Sequence, residues 1–83
     1  MPNTFIDETV TFGDFASYNI QNNFKQINIL KGVVTRKYCN LLVYQNASLL
    51  IGEGVFFNNY CSINCLGFIE IGENTMFGEG VKL

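Results

Sequence analysis

The sequence predicts an all-β chain wound as a parallel β-helix of about three to four coils, incomplete at its C-terminal end. Three observations carry this reading. Leu49-Leu50-Ile51-Gly52-Glu53 returns twenty residues later as Ile69-Glu70-Ile71-Gly72-Glu73. Large apolar residues recur every six positions, at Ile51, Phe57 and Ile63 and again at Ile71, Phe77 and Leu83. Charged residues make up only 14% of the chain against an ordinary value of about 25%, which fits a chain packed coil on coil.

A step of six places apolar residues far apart around a helix. It is three strand periods, so residues i and i+4 of each hexad point to one face of a strand. Smaller residues at Val55, Cys61, Thr75 and Val81 occupy that i+4 place, and Gly52, Asn58, Asn64, Gly72 and Gly78 follow the large residue. Gly and Asn accept tight-turn conformations, so each hexad reads as a short strand ended by a corner. Three hexads close a triangular coil. The period of twenty exceeds that closure by two residues, assigned to a small outward bulge around Leu66-Gly67. Stacked coils then line one continuous interior, each burying the face of its neighbour.

Read along the chain, residues 1–28 form an irregular N-terminal segment or a weak first coil, and residues 29–83 form the β-helix. Stepping back twenty from the two good copies finds Ile29, Gly32, Thr35, Leu41 and Val43, with Lys31 and Lys37 opposite Ile51 and Phe57. Val10 and Gly13 make a fourth copy if the period shortens by one. Ile51, Ile63, Ile71, Phe77 and Leu83 are expected inside, with Gly52 and Gly72 stacked at one corner. An antiparallel sandwich would leave hairpin signals, and the sequence has neither Asn-Gly nor Asp-Gly.

Composition excludes several functions. Eighty-three residues allow one small domain. The net charge of −2 lacks the electrostatic footprint of a nucleic-acid binder. No apolar run approaches the roughly 18 residues of a membrane span, and residues 1–8 lack the basic-then-apolar pattern of a signal peptide. The three cysteines are too few for a disulfide framework or a paired zinc site. Asn46-Ala47-Ser48 matches a glycosylation acceptor by chance. There is no histidine, hence no imidazole base or imidazole metal ligand. A cytoplasmic location and no bound metal are expected.

Residues 48–59 (SLLIGEGVFFNN) and 69–83 (IEIGENTMFGEGVKL) resemble the hexapeptide-repeat acyltransferases, proteins built as left-handed parallel β-helices. Within them the resemblance is closest to the O-acetyltransferases of surface-polysaccharide synthesis, relatives of the galactoside and maltose acetyltransferases. It covers about residues 29–83. It implies a trimer with active sites between subunits and acetyl transfer from acetyl-coenzyme A to a hydroxyl of a sugar or polysaccharide precursor. It also implies a histidine general base shortly beyond the position of Leu83, so the 83 residues are expected to be an N-terminal piece without catalytic residue and without activity. Acetyl-coenzyme A would be held by later coils, so no cofactor-binding residue is named. The apolar last strand, Val81 to Leu83, is expected to drive self-association, side by side or end to end. The competing expectation is a non-enzymatic scaffold or oligomerisation module; a carbonic anhydrase of the same fold would need histidines for its zinc.

By the same resemblance, Asn58, Asn59 and Tyr60 occupy the acceptor-binding strip. The family's contacting Asn falls nearest Tyr60, a departure that leaves Asn58 or Asn59 to supply the amide. Asn at such corners also caps turns through its own side chain. Asn64, Cys65 and Leu66 stand where sugar-acetylating relatives carry acids. Cys61 is expected in the core. Cys65 has no histidine to activate it. Glu53, Glu73 and Glu79 are expected on solvated turns, titrating too low to act as bases.

Overall fold

The computed structural model describes residues 3–83, which form eleven strands and no helix. The first two residues of the N-terminal segment lie outside that range. The first coil comprises β1 (Thr4–Ile6), β2 (Thr11–Phe12) and β3 (Ser17–Ile20); the second β4 (Gln26–Ile29), β5 (Val34–Thr35) and β6 (Asn40–Val43); the third β7 (Ser48–Ile51), β8 (Phe56–Phe57) and β9 (Ser62–Cys65). The fourth has β10 (Phe68–Ile71), β11 (Met76–Phe77) and a single bridge between Ser62 and Lys82. Each coil visits three sheets in turn, ordered β1-β4-β7-β10, β2-β5-β8-β11 and β3-β6-β9, and every pairing is parallel. The architecture is that of a left-handed parallel β-helix.

Alternation along the strands sends every second side chain inward, where register stacks like upon like. Ile27, Leu49 and Ile69 form one column, Ile29, Ile51 and Ile71 the next, and Leu41 and Ile63 another. Ile51, Ile63 and Ile71 are buried as expected. Each such side chain contributes about 1.5–3 kcal/mol by leaving water. Phe77 stacks face to face on Phe57 with centroids 4.7 Å apart. Phe77 and Leu83 belong to the last coil and are covered from one side, so Phe77 is half-buried and Leu83 is 38% exposed. Thr35 interrupts the column that runs from Phe12 to Phe57, and an apolar void of about 20 Å³ lies between Phe12, Thr35, Cys39 and Phe57.

The register differs from a uniform twenty. Ser48 pairs with Phe68, twenty residues on, but Gln26 pairs with Ser48, 22 on, and Thr4 with Ile27, 23 on. Ile29 therefore lies beside Ile51, not Leu49, and Lys31 and Lys37 sit on exposed corners. The first coil lengthens the period instead of shortening it, pairing Phe12 with Thr35. The reason lies on one side of the triangle. After β3 and β6 the chain spends residues 21–25 and 44–47 on the corner, turning Phe24 and Ala47 into the core. After β9 it spends only Leu66 and Gly67, so the expected bulge is the tightest of these three corners.

Candidate functional site

The corner between the second and third sheets carries the candidate residues. In each coil it is a turn whose second residue has positive φ: Phe15 at 60°, Tyr38 at 61°, Tyr60 at 64° and Gly80 at 71°. That conformation directs the backbone N–H along the solenoid axis. Tyr38 donates to the Asp14 carbonyl at 3.0 Å, Tyr60 to Lys37 at 2.9 Å and Gly80 to Asn59 at 2.9 Å. Each turn is thereby pinned to the coil before it.

Side chains at this place form a ladder. Phe15 and Tyr38 stack with centroids 4.8 Å apart and planes 11° apart, and Tyr38 and Tyr60 follow at 5.2 Å and 3°. All three rings are exposed, at 69%, 43% and 57%. The other two corners fill their left-handed positions with Gly32, Gly54 and Asn74, or with Asn23 and Asn46, the residues that tolerate that region best. An aromatic residue there costs on the order of 1–2 kcal/mol. A stacked pair returns about 0.5–1.5 kcal/mol. Two stacks return less than three strained positions cost, so stacking does not repay the strain of the ladder.

Asn58 and Asn59 share this turn with Tyr60, both half-buried. The Asn59 backbone N–H donates to Asn58 Oδ1 at 2.8 Å, and the Lys37 N–H donates to Asn59 Oδ1 at 3.1 Å. Their carbonyl oxygens therefore cap the corner. Among the described residues neither Nδ2 makes a hydrogen bond, which leaves two amide donors beside the ring. The outward face of the third sheet adjoins this corner with Ser17, Asn40 and Ser62. The Ser17 hydroxyl donates to Asn40 Oδ1, and Asn40 Nδ2 donates to Ser62 Oγ at 3.5 Å. The structure thus brings Asn58, Asn59 and Tyr60 together.

No family model matches the chain, and neither does any curated protein or solved structure.

Of the other candidates, Cys61 is buried beneath this corner and Glu79 lies on its fourth-coil turn, whereas Cys65, Glu53 and Glu73 lie elsewhere. Cys39, Cys61 and Cys65 are buried free thiols donating to the carbonyls of Asn58, Gly78 and Ser48 at 3.2, 3.1 and 3.1 Å. Burial pushes the Cys39 and Cys65 thiols up, away from the thiolate a nucleophile needs. Glu53, Glu73 and Glu79 lie on exposed turns. Among the described residues no cluster of three or more His, Cys, Asp or Glu side chains is placed to hold a metal, and no helix is long and apolar enough to cross a membrane.

The sequence reading missed Phe15 and Tyr38 as members of Tyr60's group. Their signal was present: Tyr38-Cys39 and Tyr60-Cys61 are the same dipeptide, 22 residues apart. A fixed step of twenty leads from Tyr60 back to Asn40 and conceals it.

Proposed function

We propose that this chain is the N-terminal β-helical part of an acetyl-coenzyme A-dependent O-acetyltransferase acting on a sugar or surface-polysaccharide precursor. The observation that carries the reading is the corner of the third coil. There an exposed tyrosine ring and the uncommitted amide donors of Asn58 and Asn59 share one turn of a hexad solenoid. Sugar recognition uses those two elements: an apolar face for the ring carbons and neutral donors for the hydroxyls. Acetyl transfer also needs a base titrating near neutrality, which a chain without histidine does not supply. In this reading the base and the acetyl-coenzyme A contacts come from residues beyond Leu83. The subunits associate as a trimer, for which the outward column Val34, Phe56 and Met76 of the second sheet offers apolar surface. Three free thiols fit a reducing, cytoplasmic setting.

The test compares residues 1–83 with the same chain extended by whatever its gene encodes after Leu83. Thiol release from acetyl-coenzyme A is followed in the presence of sugar acceptors. Turnover by the extended chain alone, abolished by replacing a downstream histidine with alanine, is the expected result. Turnover by residues 1–83 would remove the argument from the missing base. A stop codon after Leu83, with no turnover, favours the second reading: a non-enzymatic scaffold assembled through the apolar column of the second sheet.

A further inference from the structure

The aromatic ladder has one member whose ring is stacked on a single side with a side-chain-free residue at the next level. Tyr38 lies between Phe15 and Tyr60, so both of its faces are covered. Tyr60 gives one face to Tyr38 and turns the other towards the fourth coil. There the equivalent position is Gly80, in the same left-handed turn and bonded to the same corner through the Asn59 carbonyl. A Cβ placed on Gly80 meets nothing within 4 Å, and one on Gly78 meets nothing either. The place of a fourth rung is therefore open, and its floor is an exposed phenol ring.

We propose that this slot, Tyr60 below and Gly80 beside, is the stacking subsite for one pyranose ring of a neutral glycan, and that glycine at position 80 keeps it accessible. The proposal deepens the acceptor reading given above and rests on it for the substrate class. Three features favour a pyranose over other flat groups. The floor is a single flat phenol ring, stacked on Tyr38 from below, and its area matches one face of a pyranose ring. The donors nearest the ring are the neutral Nδ2 groups of Asn58 and Asn59, with Ser62 on the following strand, and the charge adjoining Gly80 on its own turn is the acid Glu79. They complement hydroxyls and not phosphates, in a chain of net charge −2. Finally, the strain of aromatic residues at three left-handed positions is not repaid by their two stacks. Local strain kept without a folding return is a mark of functional positions.

The experiment titrates the ¹⁵N-labelled chain with the methyl glycosides of glucose, galactose and N-acetylglucosamine, following backbone amides. Saturable shifts confined to Asn59, Tyr60, Glu79 and Gly80, with affinity in the millimolar range, are expected for at least one glycoside. Gly80→Tyr introduces the same backbone strain that Tyr60 already bears, but a Cβ there is unobstructed, so the parent spectrum should be retained away from the corner. It should weaken glycoside binding at least about tenfold by completing the ladder. Tyr60→Ala, which removes the floor, should weaken it equally and serves if Gly80→Tyr does not fold. Absence of shifts with all three glycosides, or shifts unaffected by both variants, overturns the proposal. Shifts produced by adenosine or indole but by no glycoside overturn it in favour of a planar aromatic ligand. The two readings separate cleanly. An extended chain that transfers acetyl with an unchanged KM in Gly80→Tyr refutes the subsite and leaves the transferase standing. Glycoside binding blocked by Gly80→Tyr in a chain without any transferase activity does the reverse.

Discussion

Replacing Gly52 with alanine sets a methyl group against the backbone of the next coil. The new Cβ would lie 2.7 Å from the Glu73 nitrogen, 2.9 Å from the Ile71 carbonyl oxygen and 3.0 Å from the Glu73 Cα. All three are main-chain atoms, so no side-chain rotation relieves the contact. The coils must separate by several tenths of an ångström at the point where the Gly52 N–H donates to Ile71 O at 2.8 Å. Overpacking of this kind costs about 1–3 kcal/mol, and weakening the hydrogen bond adds about 1 kcal/mol. The internal control is Gly72→Ala. Gly72 occupies the same place in the repeat, directly beside Gly52 by the Ile51–Ile71 register, yet a Cβ there meets nothing within 4 Å. That variant should be neutral or gain about 0.4–1 kcal/mol from a less flexible unfolded chain. Urea unfolding followed by far-ultraviolet circular dichroism reads the difference. With a slope of about 1 kcal/mol per molar urea for a small domain, the Gly52→Ala midpoint should fall by about 2 M or more while the slope and the Gly72→Ala midpoint hold. Equal midpoints for the two variants would refute the coil-on-coil contact as the reason for glycine at position 52.

Two further outcomes follow from the core. Ile71→Asp places a carboxylate in the column above Ile51, where no described partner offers a charge; a loss of several kcal/mol in the same assay is expected, and stability equal to the parent would contradict the inward register. The pH dependence is set by the thiols: burial raises Cys39 and Cys65 above the ordinary 9.0, and it raises Tyr18 above 10.0. The folded state keeps these groups neutral while the unfolded chain ionises. Their contribution is therefore complete below pH 9 and is lost as pH rises through the folded values. Urea midpoints should hold near pH 8 and fall by pH 10, and Cys65→Ala should flatten part of that fall; a midpoint rising with alkaline pH would show the sign to be wrong.

The hexad step from Ile51 to Phe57 to Ile63 was enough to define strands, corners and an inward face, because period six has one geometric solution when a chain turns back on itself in parallel. It also located Gly52 over Gly72 and put Asn58, Asn59 and Tyr60 on one turn, since those are separations within a coil or between the two best-matched coils. What it could not supply was the length of each coil. That length depends on how many residues the third side needs to fill its corner, and the answer is set by packing: Phe24 and Ala47 fold into the core where Leu66 does not.

Every relation between coils inherits that length. A sequence step of twenty separates Tyr60 from Tyr38 and from Phe15, whereas the folded coils bring them into one ladder through registers of 22 and 23. The solenoid, its inward residues and the residue types at its corners are legible in the amino-acid order, because they depend on a period repeated within each coil. Which corners stack, that three rings share one stripe, and that the free face of Tyr60 meets Gly80 emerge only from the folded coils. These depend on strand register, and register is fixed by the side chains that fill the interior.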